Sequence, residues 1–281
     1  MISLEETCNI YTHPSRISFS LGLLLALGIY ISYVPQHSRI IRRRSSEGLS
    51  PLFLLLGSTS AFSAFINLYL VTLPARQCCS IDLTAFQCMN SQVGFIQVTL
   101  QMIGYLLVLF LCVFLTRNSV DESRTEYEKI YLSFQWFLAY AFVNFVLVIY
   151  LVFYQGEANA VMKFANLSGI LATVFAMFQY FPQIYTTYRL KHPGSLSINM
   201  MLLQTPGGFV WSLSLFLQPG SKWSSWLPYI SAAFLQLILL SMCLYYTWNT
   251  DTPGSEAEAI TDIERTNIET GENQERQPLL A

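Results

Sequence analysis

The sequence predicts an all-α membrane protein with seven transmembrane helices, laid out as two parallel three-helix repeats joined by a linker helix, a 3+1+3 plan. Three observations predict it. Hydrophobic residues make up 53% of the 281 positions, charged residues only 11%, and the mean hydropathy is +0.43, so the solvent of this chain is a bilayer. The apolar residues gather into seven runs, each near the ~20 residues a helix needs to cross the hydrocarbon. A short motif also recurs at a fixed interval along the chain.

That motif is Tyr33-Val34-Pro35-Gln36, repeated as Tyr180-Phe181-Pro182-Gln183 at an offset of 147 positions. The same offset relates Arg42 to Arg189, Leu49 to Leu196 and Ser50 to Ser197, which marks an internal repeat. Each proline falls late in an apolar run. There it removes a backbone donor and presses on the carbonyl four residues earlier, so Pro35 and Pro182 are expected to bend their helices. Gln36 and Gln183 bring amides to the bends, and these four residues are the expected hinge and transport elements.

Residues 1–16 are polar and carry Glu5 and Glu6, unlike the basic start of a cleavable signal, so they read as a lumenal N-terminus before an uncleaved anchor. The spans are expected at 17–40, 51–73, 92–116, 131–154, 160–186, 197–218 and 225–248. They are apolar all round, as spanning helices are. The first repeat then covers 17–116, the linker helix 131–154 and the second repeat 160–248. A single linker span delivers both units to the membrane in the same orientation, as repeats related by an axis along the membrane normal.

Lysine and arginine set the sidedness. Arg39, Arg42, Arg43, Arg44, Arg117, Arg124, Lys129, Arg189, Lys191, Arg265 and Arg276 fall on one side, and only Arg16, Arg76, Lys163 and Lys222 on the other. This bias places the C-terminus in the cytosol and the N-terminus in the lumen. Cys8, Cys78, Cys79 and Cys88 all fall on the lumenal side. They suit one or two disulfides, with three pairings open, while free or lipid-modified thiols are the alternative. With His13 the one histidine nearby, no metal site is expected, and no pattern calls for a cofactor.

All seventeen acidic residues are placed in loops, termini or tail, so no carboxylate is expected in a span to balance a cation or carry a proton. His37 reads as an interfacial residue beside Arg39. Amides and hydroxyls remain. Ser58, Asn67, Gln204, Thr205 and Asn144 are the candidate substrate-binding residues, with Ser58 and Thr205 matched at the 147 offset; the competing role for each is to bond helix to helix. Gln204-Thr205-Pro206-Gly207-Gly208 in the sixth span reads either as a break at a binding site or as small residues packed against a neighbour.

Residues 249–281 have the composition of a disordered tail. Glu275 followed by Leu279 and Leu280 is similar to a dileucine sorting signal, which implies a clathrin adaptor as partner and a vacuolar or lysosomal address.

Two Pro-Gln motifs with basic residues after them, Gly48-Leu49-Ser50 and Gly194-Ser195-Leu196-Ser197 opening the next spans, and the 3+1+3 plan together resemble the PQ-loop repeat family. That family takes in cystinosin, lysosomal and vacuolar amino-acid exporters and, more distantly, the SWEET sugar transporters; Gln204–Trp211 is similar to fungal members. The resemblance implies a seven-helix bundle that exports a small metabolite from an acidic organelle. The exporters of cationic amino acids carry a Gly-Asp pair in the second span where this chain has Gly57-Ser58, so the solute expected here is neutral or zwitterionic, an amino acid in the first place. The rival expectation is a non-transporting receptor or trafficking regulator of the same fold. No phosphate loop, metal motif or nucleophile set suggests an enzyme, and no basic patch suggests nucleic acid.

Overall fold

A computed structural model describes residues 8–44, 49–81, 83–115, 124–155, 157–191 and 198–250. The dileucine stretch with Glu275, Leu279 and Leu280 lies outside them, as do Gly48 and Gly194–Ser197. Among the described residues the chain is helical throughout, with no strand. The elements are α1 (Arg16–Arg43), α2 (Pro51–Val71), α3 (Leu73–Cys79), α4 (Ala85–Leu115), α5 (Arg124–Ile149, continued by a π-helical turn, Tyr150–Gln155), α6 (Ala158–Leu190), α7 (Ile198–Phe216) and α8 (Trp223–Thr250).

All but the seven-residue α3 span the membrane. Six of these seven are long and apolar enough by composition alone. The exception, α7, has 19 residues, or about 28 Å at 1.5 Å per residue, close to the hydrocarbon thickness. Its hydropathy is diluted by Gln204–Gly208. The surface is inverted relative to a water-soluble protein: Trp136, Phe142 and Phe145 point outward, while Ser58, Asn67, Gln97 and Asn144 are buried.

The helix ends preserve the 147-residue register. α1 ends at Arg43 and α6 at Leu190; α2 starts at Pro51 and α7 at Ile198. Each of the first pair is closed by a basic residue in the left-handed conformation, Arg44 at φ 49° and Lys191 at φ 58°. Their amides donate to Ile40 O (2.8 Å) and Thr187 O (3.1 Å), satisfying carbonyls that a helix end leaves orphaned. At the start of α2, Ser50 Oγ accepts from Phe53 N (3.1 Å), and Pro51 takes the first helical position, where a missing donor costs nothing.

The expected loop before the third span is largely helical instead. Thr84 and Gln87 form a capping box, with Thr84 N donating to Gln87 Oε1 (2.8 Å) and Gln87 N to Thr84 Oγ1 (3.5 Å), so α4 begins at Ala85 rather than at the expected 92. The linker likewise begins at Arg124, ahead of the expected 131, and its first turn holds an exposed Arg124–Glu128 pair at 3.4 Å.

Within each unit the third helix lies between the other two: α4 packs on α1 and α2, and α8 packs on α6 and α7. The linker α5 packs on α2 and α4. The units meet chiefly along α2 and α6. Small residues make the close approach there, with Gly57, Ala61 and Ala64 on one helix and Ala165, Gly169, Ala172 and Ala176 on the other. α7 runs unbroken through Pro206, and a Cβ on Gly208 would lie 3.2 Å from Ala233 Cβ of α8. Gly208 therefore packs against α8 while Pro206 and Gly207 face outward, and the stretch does not break the helix.

Candidate solute site between the repeats

Beside the α2–α6 contact, α4 and α8 complete a cavity of about 70 Å³. Its walls are Gly57, Ser60, Ala61 and Ala64 from α2, Gln101 and Tyr105 from α4, Ala176, Gln179 and Tyr180 from α6, and Pro228, Tyr229 and Ala232 from α8. Ala61, Gln101 and Ala176 sit near the middle of their helices, which places the cavity near the bilayer midplane. No wall residue carries a formal charge. The cavity has room for several waters or a small polar solute.

Its polar groups are held in place. Tyr229 OH donates to Gln101 Oε1 (3.0 Å), and Ser60 Oγ donates across the unit boundary to Ala172 O (2.8 Å). A Cβ on Gly57 would meet Tyr105 Cε1 at 2.6 Å and Gln179 Nε2 at 3.1 Å, so a larger residue there would push into the cavity. Tyr33 backs the wall with its ring edge-on to Tyr105, and His37 Nε2 donates to Gly104 O (3.1 Å), tying α1 to α4.

One to two turns toward the disulfide-bearing face lies a layer of cross-unit hydrogen bonds. Asn67 Nδ2 donates to Ala165 O (2.7 Å) and to Ser224 Oγ (2.9 Å), and Ser224 Oγ donates to Asn166 Oδ1 (2.8 Å). Gln97 Nε2 donates to Gly22 O (2.8 Å) and its Oε1 accepts from Trp211 Nε1 (3.1 Å), joining α1 and α4 to α7. Beyond this layer the N-terminal segment is strapped down. Cys8 is bridged to Cys78 and Cys79 to Cys88, with Cα separations of 5.4 and 5.2 Å. Buried Tyr11 sets its hydroxyl against Gly220, whose φ of +74° admits glycine readily and other residues only with strain. The strap belongs to the first unit and Gly220 to the second.

A PQ loop repeat is recognised at residues 17–76 and again at 164–224, stretches whose starts are also 147 residues apart. Over 246 residues the chain is 32% identical to Uncharacterized protein C4C5.03 of Schizosaccharomyces pombe, covering 83% of this chain and 81% of that one. This chain belongs to the PQ-loop repeat family. Among solved structures it is similar to a eukaryotic SWEET transporter, at 17% identity and a TM-score of 0.49, over 87% of this chain and 98% of that one.

The two PQ motifs stand in different relations to the cavity. Tyr180 of the second motif lines it, whereas Tyr33 of the first stands behind Tyr105. Pro35 and Pro182 lie inside unbroken helices with exposed outer faces, and Gln36 and Gln183 are half-buried without lining the cavity. Ser58 and Thr205, the matched hydroxyls, are both buried with no hydrogen-bond partner among the described residues, and neither lines the cavity.

The other candidates fall elsewhere. Asn67 belongs to the cross-unit layer. Asn144 donates to Tyr140 O (2.9 Å) of its own helix, on the linker. Gln204 is exposed and accepts from Gln236 Nε2 (3.0 Å). The residues that build the cavity most, Tyr105 and Tyr229, were not singled out by sequence, nor was Gln97. Phenols in otherwise apolar runs, and the small-residue spacing of α2 and α6, are the signals that would have found this surface.

Proposed function

We propose that this PQ-loop protein is a carrier that moves a small neutral or zwitterionic metabolite, an amino acid in the first place, out of the vacuole or lysosome by alternating access. The observation that carries the reading is the uncharged cavity of amides and phenols between two repeated units. A solute with its own compensated charges meets hydrogen-bonding partners there and no unpaired ion, and desolvating it costs less than desolvating a net charge. The cross-unit layer on the disulfide-bearing face acts as one gate, and the bends at Pro35 and Pro182 let each unit flex toward the other state.

Solute flux into proteoliposomes, run against a panel of amino acids and sugars, tests the reading. Saturable uptake of one class supports it; folded protein that moves none of them turns the assignment to the receptor alternative. The lysine and arginine bias puts the Pro-Gln ends in the cytosol. Cysteines introduced at Ser45 and Ser255 should then react with a membrane-impermeant reagent from the cytosol and one at Ser221 should not. The vacuolar address and its clathrin adaptor rest on Glu275, Leu279 and Leu280, so replacing both leucines with alanine should send the protein to the cell surface.

A further inference from the structure

A second cavity, of about 120 Å³, opens on the disulfide-bearing face between α1, α4 and the end of α7. Its polar walls are His13, Ser15, Ser18, Asn90, Ser214 and Gln218. Asn90 is only 6% exposed, lines the cavity, and shares no hydrogen bond with another described residue. Gln218 Nε2 is buried and also without a partner among the described residues. Asn90 thus turns an amide with no described partner to this space, and Gln218, beside it in the wall, holds a buried nitrogen that no described residue satisfies.

The charge of the visitor follows from the walls. They contain no carboxylate. The 28-residue α1 starts at this cavity; Ser15 Oγ caps it by accepting from Ser18 N (3.3 Å), and no acidic residue stands in its first turn, so the positive pole of the helix meets no carboxylate there. Hydroxyl, amide and imidazole donors converging on a helix N-terminus suit a carboxylate. The depth is informative too. Ser18 is one turn from Gly22, Asn90 two turns from Gln97 and Ser214 about one turn from Trp211, so this cavity lies directly outside the Gln97 bridge. Gln101, one turn further along α4, lines the central cavity.

We propose that the outer cavity is a binding subsite for the carboxylate end of a small amino acid, separated from the central cavity by the Gln97 bridge. The subsite rests on the transport reading for its place in a pathway, but binding there does not require transport. Purified full-length protein in nanodiscs, with disulfides intact, is titrated with glycine and alanine and with glycinamide and alaninamide. The acids should bind and the amides should bind at least about tenfold more weakly, since the amides lose the anionic group. Asn90→Asp and Gln218→Glu, near-isosteric changes on two different helices, should each weaken binding of the acids by about tenfold or more through like-charge repulsion, with melting close to wild type.

Equal binding of acid and amide, binding of neither, or wild-type affinity in both variants would overturn the subsite. Binding that persists in protein unable to move these amino acids in proteoliposomes would sustain the subsite and overturn the transport reading alone.

Discussion

Tyr33 and Tyr105 meet edge to face with ring centroids 5.6 Å apart, and through that contact the first PQ motif touches the central cavity without entering it. The second motif enters directly by way of Tyr180. A shift of α1 is therefore felt at the cavity wall through Tyr105, which shares that wall with Gln179 of the other unit. The repeat is symmetric in register and asymmetric in what each copy gives to the site.

The first expectation concerns Gly57. Gly57→Ala puts a methyl 2.6 Å from Tyr105 Cε1, too close unless the ring moves. Overpacking of this kind costs about 1–3 kcal/mol, and here the displaced ring moves into the solute space. Expected is protein that still folds, with solute affinity reduced about tenfold or more in a direct binding assay; unchanged affinity would remove the cavity from the pathway.

Asn67→Ala should destabilise the bundle by about 1–3 kcal/mol, because it deletes two donated bonds and leaves Ala165 O without this donor inside the membrane. Thermal melting in detergent measures it. Asn144→Ala, which removes only an intrahelical bond on the linker, should cost markedly less.

Ser58 and Thr205 predict the opposite sign. Their hydroxyls are buried without partners among the described residues, so Ser58→Ala and Thr205→Val remove a desolvated polar group and lose no hydrogen bond seen there. Melting should hold or rise, by up to about 1 kcal/mol each. If the hydroxyls find partners in the alternative state of the carrier, the same changes should also slow flux; a clear loss of melting temperature would show that both are bonded in the resting state.

Pro35→Ala and Pro182→Ala restore a backbone donor to helices that already run through these positions. Near-normal expression and melting are expected, with flux lost: a bias of about 1.4 kcal/mol between two states already changes their ratio tenfold. Gln36→Ala and Gln183→Ala remove the amide and leave the proline, so a weaker solute affinity is the expected signature. Wild-type flux in both proline variants would make the motif architectural.

The primary structure by itself determined the solvent, the seven spans and the register of the repeat. Hydropathy is local and additive, and a pair such as Pro35 and Pro182 keeps its spacing however the chain packs. The start of α4 was equally local, encoded in the Thr84–Gln87 capping box, but a polar loop composition masked it. Tertiary structure alone decided which polar side chains share a space. Gln97 and Gln101 lie one turn apart on the same helix; one closes a bridge and the other faces the cavity, because α1 and α7 approach the first and α8 the second. Gly57 and Ser58 are adjacent in sequence, yet only Gly57 lines the cavity. Burial between helices depends on angles and distances between elements far apart in the chain, and no residue-by-residue property carries that information.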